Sequence, residues 1–339
     1  MSLIPTTILT GFLGSGKTTL LKRVLSDVHG QKIAVIENEL GEENIDNDIL
    51  MTGSQEQIIQ MSNGCICCTI REDLRVTLQQ LAAKKRQGVL DFDRVVIETT
   101  GIADPGPVVQ TFFMDDEVAE NFLLDSVLTL VDAKHANLQL DKRQEARRQV
   151  GFADQIFISK TDLVSVPECD ALKLRLRQMN PRAPQRAVHF GEVALSAVFD
   201  LHGFNLNGKL DIDPAFLQED DHEHCEHCDH PHHQHGHKLH HDDVKSFVFR
   251  SDRAFDPAKL EDFMGAVVNI YGPRMLRYKG VLYLHGTKHR VIFQGVHQLM
   301  GSDLGLAWAK GEKPCSKMVF IGIDLPRDIF MQGMEQSLV

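Results

Sequence analysis

Long apolar runs are missing from this chain of 339 residues. None approaches the ~20 residues that a membrane-spanning helix requires, so no membrane association is expected. The stretch Met1 to Pro5 lacks the basic region and apolar core of a secretory signal, and the cytoplasm is the expected compartment. Clustered basic charge is also lacking. With 36 Lys and Arg against 47 Asp and Glu, the formal net charge is -11, and counterion release from a polyanion needs grouped cations that are not there. Nucleic acid is therefore excluded as an expected partner. Cysteine is sparse and bunched: there are seven, three of them between Cys65 and Cys68. That distribution suits reduced thiolates held for metal or redox work better than a disulfide scaffold.

The remaining composition, 42% hydrophobic and 24% charged, is ample for a core. At ~150 residues per domain it points to about two domains. Short apolar runs alternate with helix-like stretches, which is the pattern of a mostly parallel sheet with crossover helices. The expected strands are Thr6 to Thr10, Lys32 to Glu37, Gln57 to Met61, Arg94 to Glu98, Ser126 to Val131, Gln155 to Ser159 and Arg186 to Val188. Helices are expected at Lys17 to Val28, Arg71 to Gln87, Asp141 to Phe152 and Pro167 to Met179. This first α/β block spans residues 1–210. Residues 211–243 then form a linker in which Asp220 to Asp243 contain almost nothing apolar and hold ten of the seventeen histidines. Residues 244–339 form a smaller α+β domain, with strands at Val244 to Arg250, Gly280 to Leu284, Arg290 to Phe293 and Lys317 to Asp324, and a helix at Pro257 to Ile270.

The strongest chemical signal is Gly11-Phe12-Leu13-Gly14-Ser15-Gly16-Lys17-Thr18, which follows a strand and opens a helix. Glycines at 11, 14 and 16 let backbone N–H groups, with Ser15 and Thr19 alongside, converge on phosphates. Lys17 reaches the β and γ phosphates, and the Thr18 hydroxyl takes a Mg²⁺ position. Glu98 ends an apolar strand and is followed by Thr99, Thr100 and Gly101. A carboxylate there holds Mg²⁺ directly or through water, and the Gly101 N–H can turn toward the γ-phosphate. Lys17, Thr18 and Glu98 are the candidate catalytic set. After the strand Gln155 to Ser159 come Lys160, Thr161 and Asp162, and a carboxylate at Asp162 can accept from the two edge donors of guanine that adenine does not present. GTP is therefore favoured over ATP. Ser159 stands where GTPases usually have asparagine, and its hydroxyl can make only part of that contact.

Cys65, Cys67 and Cys68 follow the turn pair Asn63-Gly64 and can converge on one soft ion such as Zn²⁺. Three thiolates leave the site short of four ligands, and Glu37, Glu39, Glu42 or a water could complete it. The acidic run Glu37 to Glu43 sits beside a phosphate site, where cations would be needed to offset it. In the linker, His222, His224, Cys225, His227, Cys228, His230, His232, His233, His235 and His237 form a second candidate metal-binding tract. Imidazoles are mostly neutral at cytoplasmic pH and suit Zn²⁺, Ni²⁺ or Cu²⁺.

Taken in order, GFLGSGKTT, ENELGEE, NGCICC, ETTG with ADP, SKTD, and the later RYKGVLYL and RVIFQGVHQL resemble the CobW-like GTPases, particularly their YjiA-type, zinc-chaperone branch. The resemblance covers nearly the whole chain apart from the histidine tract. It implies a SIMIBI-class P-loop GTPase domain followed by a CobW C-terminal domain. It further implies GTP, Mg²⁺ and Zn²⁺ as cofactors, with zinc held by Cys65, Cys67 and Cys68 and handed to apo, zinc-dependent client metalloproteins as GTP becomes GDP. Glu37 and Glu42 match the acidic metal-associated positions more loosely, and Ser159 departs from the pattern. A non-catalytic metal store or sensor that binds nucleotide, a chaperone for cobalt or nickel, and a P-loop kinase are the alternatives; the kinase would want an acceptor base and an arginine lid that the sequence does not display. The client and the oligomeric state are not legible, a homodimer being the assembly to test.

Overall fold

A computed structural model describes residues 3–26, 30–38, 50–52, 56–61, 69–204 and 242–339. The first sheet contains β1 (Ile4–Gly11), β2 (Ile33–Asn38), β3 (Leu50–Thr52), β4 (Glu56–Met61), β5 (Arg94–Glu98), β6 (Phe122–Asp132), β7 (Gln155–Ser159) and β8 (Gln185–Val188). Its order is β3-β4-β2-β5-β1-β6-β7-β8. Only the β3–β4 pairing is antiparallel, so the sheet is mostly parallel, as expected. Parallel strands are buried on both faces, and β5 and β7 are buried at every residue.

The two faces carry different helices. One buries Leu74 and Leu78 of α2 (Thr69–Arg86), Val108 and Phe112 of α3 (Pro105–Met114), Val150 of α6 (Gln144–Phe152) and Leu172 of α7 (Val166–Met179). The other buries Leu20, Leu21 and Val24 of α1 (Lys17–Ser26). Local chemistry starts several of these helices. Ser165 and Glu168 form a reciprocal capping box at the start of α7, and Asp104 caps α3 by accepting from the Gly106 N–H, with Pro105 in the first turn.

Three expectations require correction. The single helix expected over Asp141 to Phe152 is two, α5 (Ala136–Lys142) and α6, parted at an extended Arg143. Arg147 donates from Nη1 to the Leu140 carbonyl at 2.6 Å and takes up a terminal acceptor of α5. Short α4 (Asp116–Asn121) and α3 were not foreseen, nor were the strand Leu299–Ala307 and the helix Arg327–Gln336 of the second unit. Met275 to Lys279 were expected outside the strand, yet β10 runs Met275–Leu282.

The second unit is an antiparallel sheet ordered β12-β11-β10-β13-β9. Its strands are β9 (Val244–Ser251), β10, β11 (His289–Val296), β12 (Leu299–Ala307) and β13 (Ser316–Ile323). Helices α8 (Pro257–Tyr271) and α9 (Arg327–Gln336) cover one face, around Phe320, Phe330 and Met334. The other face delivers Val244, Leu276, Val296, Val319 and Ile321 into the core of the first unit. At that junction Arg277 pairs with Asp154 at 2.5 Å, donates to the carbonyls of Phe152 and Gly203, and lies over the Phe204 ring.

Candidate functional site

The phosphate loop leaves the C-terminal end of β1 in the middle of the sheet. At Gly11, φ is +142° and an added Cβ would fall 2.4 Å from the Leu130 carbonyl oxygen, so a side chain is excluded there. Gly14 and Gly16 also have positive φ. Ser15 is fully buried, and its Oγ has no hydrogen-bond partner among the described residues. An orphaned buried hydroxyl inside such a loop is chemistry awaiting an acceptor. Lys17 folds back over the loop, with Nζ donating to the Gly11 carbonyl at 2.9 Å. Burial pushes the Lys17 amine below its ordinary pKa, while neighbouring Glu98 acts in the opposite direction.

Thr18 and Glu98 are brought together: Thr18 Oγ1 donates to Glu98 Oε1 at 2.9 Å. Both are hard oxygen donors at the mouth of the loop, a pair that suits Mg²⁺. Thr19 follows in the first turn of α1. Glu37, next to last in β2, lies in register with Glu98 on the neighbouring parallel strand. Two carboxylates side by side repel unless a cation is near. Gly101 approaches the phosphate loop so closely that an added Cβ would sit 2.6 Å from the Leu13 backbone nitrogen. Its carbonyl accepts from Gln149 Nε2 at 3.1 Å.

Lys160 adopts a left-handed conformation with φ 56°. Its amine bridges the Gly14 carbonyl at 2.8 Å and the Asp132 carboxylate at 2.7 Å. Burial would raise the Asp132 pKa, but hydrogen bonds from Lys160 and His135 more than offset it and hold the group below the usual range. The Ser159 hydroxyl, expected to make only part of the base contact, donates to the Ser15 carbonyl at 2.7 Å and braces the phosphate loop. Asp162 stands in the turn Thr161–Leu163, half-exposed, with His189 Nδ1 3.8 Å from its Oδ1. Asp132, Gln149 and His189 were missed in the sequence. Asp132 ends an apolar strand as Glu98 does, which was the available signal; a lone histidine carries none.

The expected metal ligands Cys65, Cys67, Cys68 and Glu42, and the tract from His222 through His224, Cys225, His227, Cys228, His230, His232, His233 and His235 to His237, lie outside the described residues. Among the described residues no cluster of three or more His, Cys, Asp or Glu is gathered for a metal ion.

Residues 5–186 match the profile of the CobW/HypB/UreG nucleotide-binding domain, and residues 244–338 that of the cobalamin synthesis protein cobW C-terminal domain. The chain belongs to the CobW/HypB/UreG family. Within this family it is 40% identical to the zinc chaperone YjiA of Escherichia coli K12, over 97% of this chain and 96% of that one. It is 30% identical to the zinc-regulated GTPase metalloprotein activator 1 of Dictyostelium discoideum, over 96% of this chain and 72% of that one. The crystal structure of Zn(II)-bound YjiA GTPase from E. coli superposes on this CobW-type chain with a TM-score of 0.78 at 36% identity, covering 100% of both. The expected fold class, a P-loop GTPase domain followed by an α+β CobW C-terminal domain, is thereby established.

Proposed function

We propose that this protein is a GTP-hydrolysing zinc metallochaperone that binds zinc in the region of Cys65, Cys67 and Cys68 and passes it to client metalloproteins in a step governed by GTP. The observation that carries this reading is the run of acidic strand ends at the phosphate loop. Glu98 is hydrogen-bonded to Thr18 and in register with Glu37, the acid grouped with the cysteines as a metal-associated position. β4, whose last residue Met61 pairs with Asn38, leads directly toward the cysteine segment. The names of the zinc-chaperone and metalloprotein-activator relatives support the same assignment.

Thr18 and Glu98 would hold Mg²⁺, which when bound neutralises charge accumulating on the phosphates. The chain's own groups do the rest. Lys17 exchanges its carbonyl contacts with Gly11 and Phe12 for the β and γ phosphates, and the Ser15 hydroxyl gains the acceptor it lacks. Gly101, held by Gln149, presents its N–H from a position already against the phosphate loop. Asp162 accepts from the guanine edge, and zinc is cargo whose ligand set changes as the Glu37 segment responds to nucleotide.

Such sharing makes zinc and nucleotide affinities interdependent. A tenfold change in zinc affinity on binding GTP, about 1.4 kcal/mol, requires an equal change in GTP affinity on binding zinc. The expected result is a different zinc affinity with GDP, with a non-hydrolysable GTP analogue and with no nucleotide, measured by competition against a chelator. The Cys67→Ser variant should lose that difference while retaining nucleotide binding. Identical zinc affinities in all three states would overturn the transfer mechanism.

A further inference from the structure

The turn that follows β8 is built at a cost that the fold does not explain. Phe190 has φ 46°, a left-handed conformation that a bulky side chain seldom takes, and the residue is 77% exposed. Strain and lost apolar burial thus fall on one residue, and strain of this kind persists where a site over-determines it. The turn itself is firmly held. Glu192 N–H donates to the His189 carbonyl at 2.9 Å. Gly191, with φ +77°, lies against α1 so tightly that an added Cβ would be 3.0 Å from both Leu20 Cα and the Thr19 carbonyl oxygen. The turn that carries Phe190 is therefore anchored on the first turn of the helix that the phosphate loop opens.

What Phe190 stands beside is equally specific. Its ring meets the His189 ring edge-on at 4.6 Å, and His189 Nδ1 is 3.8 Å from Asp162 Oδ1. Two residues before Asp162 in the chain is Lys160, pinned to Gly14 and Asp132. A carboxylate can read the edge of a base, yet edge contacts leave both faces of the ring in water. A fixed aromatic ring supplies the missing face, because every nucleobase offers a π surface.

We infer that Phe190 is the base-stacking residue of the nucleotide pocket and that His189 is a positioning residue that orients Asp162 toward the guanine edge. This rests on the reading of Asp162 as the guanine acceptor, and the two separate cleanly in binding experiments on the full chain. Three ligands are titrated calorimetrically in the presence of Mg²⁺: GDP, ADP and inorganic tripolyphosphate. Phe190→Ala should weaken GDP and ADP alike, by about tenfold, since stacking does not discriminate between bases, and leave tripolyphosphate unchanged. Asp162→Asn should weaken GDP alone. Phe190→Trp should keep GDP affinity and show indole emission quenched by GDP but not by tripolyphosphate, with wild-type Trp308, the single native tryptophan, as the background. For His189, the readout is the preference for GDP over IDP, which lacks the exocyclic amine. His189→Ala should reduce that preference, and His189→Gln, which keeps a donor, should restore part of it.

Undiminished GDP binding in Phe190→Ala, with Asp162→Asn impaired, overturns the stacking role and leaves the guanine reading standing. Equal loss of tripolyphosphate in Phe190→Ala also overturns it, because the effect would then come from a displaced turn. Wild-type binding of ADP as tight as GDP, with Asp162→Asn unaffected, instead removes the guanine reading on which the inference rests. An unaltered GDP to IDP ratio in His189→Ala removes the positioning role.

Discussion

Lys17→Ala is expected to lower Mg²⁺-dependent GTP turnover by about a hundredfold or more, the scale seen when one preorganised charge-stabilising donor is removed from an active site. Lys17 is largely desolvated, and burial already disfavours its charged form. A cation kept in such a place is worth more to a phosphate group than it would be in water. Its hydrogen bonds are to the backbone carbonyls of Gly11, the last residue of β1, at 2.9 Å and of Phe12 at 3.5 Å, so deleting the amine breaks no backbone-to-backbone hydrogen bond of a strand or helix. Circular dichroism and the melting temperature should accordingly change little while phosphate release collapses. Undiminished phosphate release at saturating GTP would sink the phosphate-loop assignment.

Asp154→Ala should destabilise the folded chain by about 3–5 kcal/mol, the usual cost of stranding one member of a buried ion pair. The side chains of Arg277 and Asp154 are 3% and 7% exposed, and Asp154 also accepts from the Val127 N–H at 2.9 Å. Nearby Lys279 is pushed down to about 7, first by burial and then by the positive charges of Arg182 and Arg277. Without Asp154 that concentration of positive charge loses a counter-ion, and the backbone of β6 loses an acceptor. The pair also has no room to rearrange, because an added Cβ on Gly203 would fall 2.3 Å from the Asp154 carboxylate. The urea midpoint should drop in Asp154→Ala, and the double variant Asp154→Asn with Arg277→Met should recover much of the loss, since an apolar replacement strands no charge. A single variant as stable as wild type would show that the junction is not held by this pair.

The misreadings have identifiable causes. The start of β10 is not legible in the sequence because the charges of Arg277 and Lys279 break up the apolar residues Met275, Leu276 and Tyr278; a charge in a strand reads as a surface until its partner is known, and Asp154 comes from another unit of the fold. α3 was missed because its sequence, PGPVVQTFFM, is apolar on most faces and begins with two prolines, so it lacks the polar stripe that marks an amphipathic helix. The break at Arg143 depends on Arg147 reaching the Leu140 carbonyl, a side-chain contact with no counterpart in periodicity. By contrast, β5 and β7 were placed at their observed ends, Arg94–Glu98 and Gln155–Ser159. A fully buried parallel strand is a continuous apolar run, and its polar terminus is visible in the residues themselves.

The amino-acid order alone determined the alternation of strands and helices and the phosphate loop, together with the acid at the end of β5. These are encoded by neighbours in the chain: glycine conformational freedom, a strand's apolar run and a helix's first turn act over a few residues. Only the tertiary structure decided that Thr18 bonds Glu98, that Glu37 stands beside Glu98, that Lys160 bridges Gly14 and Asp132, and that His189 lies beside Asp162. Each of those pairings joins different segments, and their distances follow from strand order and register in the sheet. Sheet order is set by how all the helices share the two faces of one core, a property of the packed whole that no local stretch of residues contains.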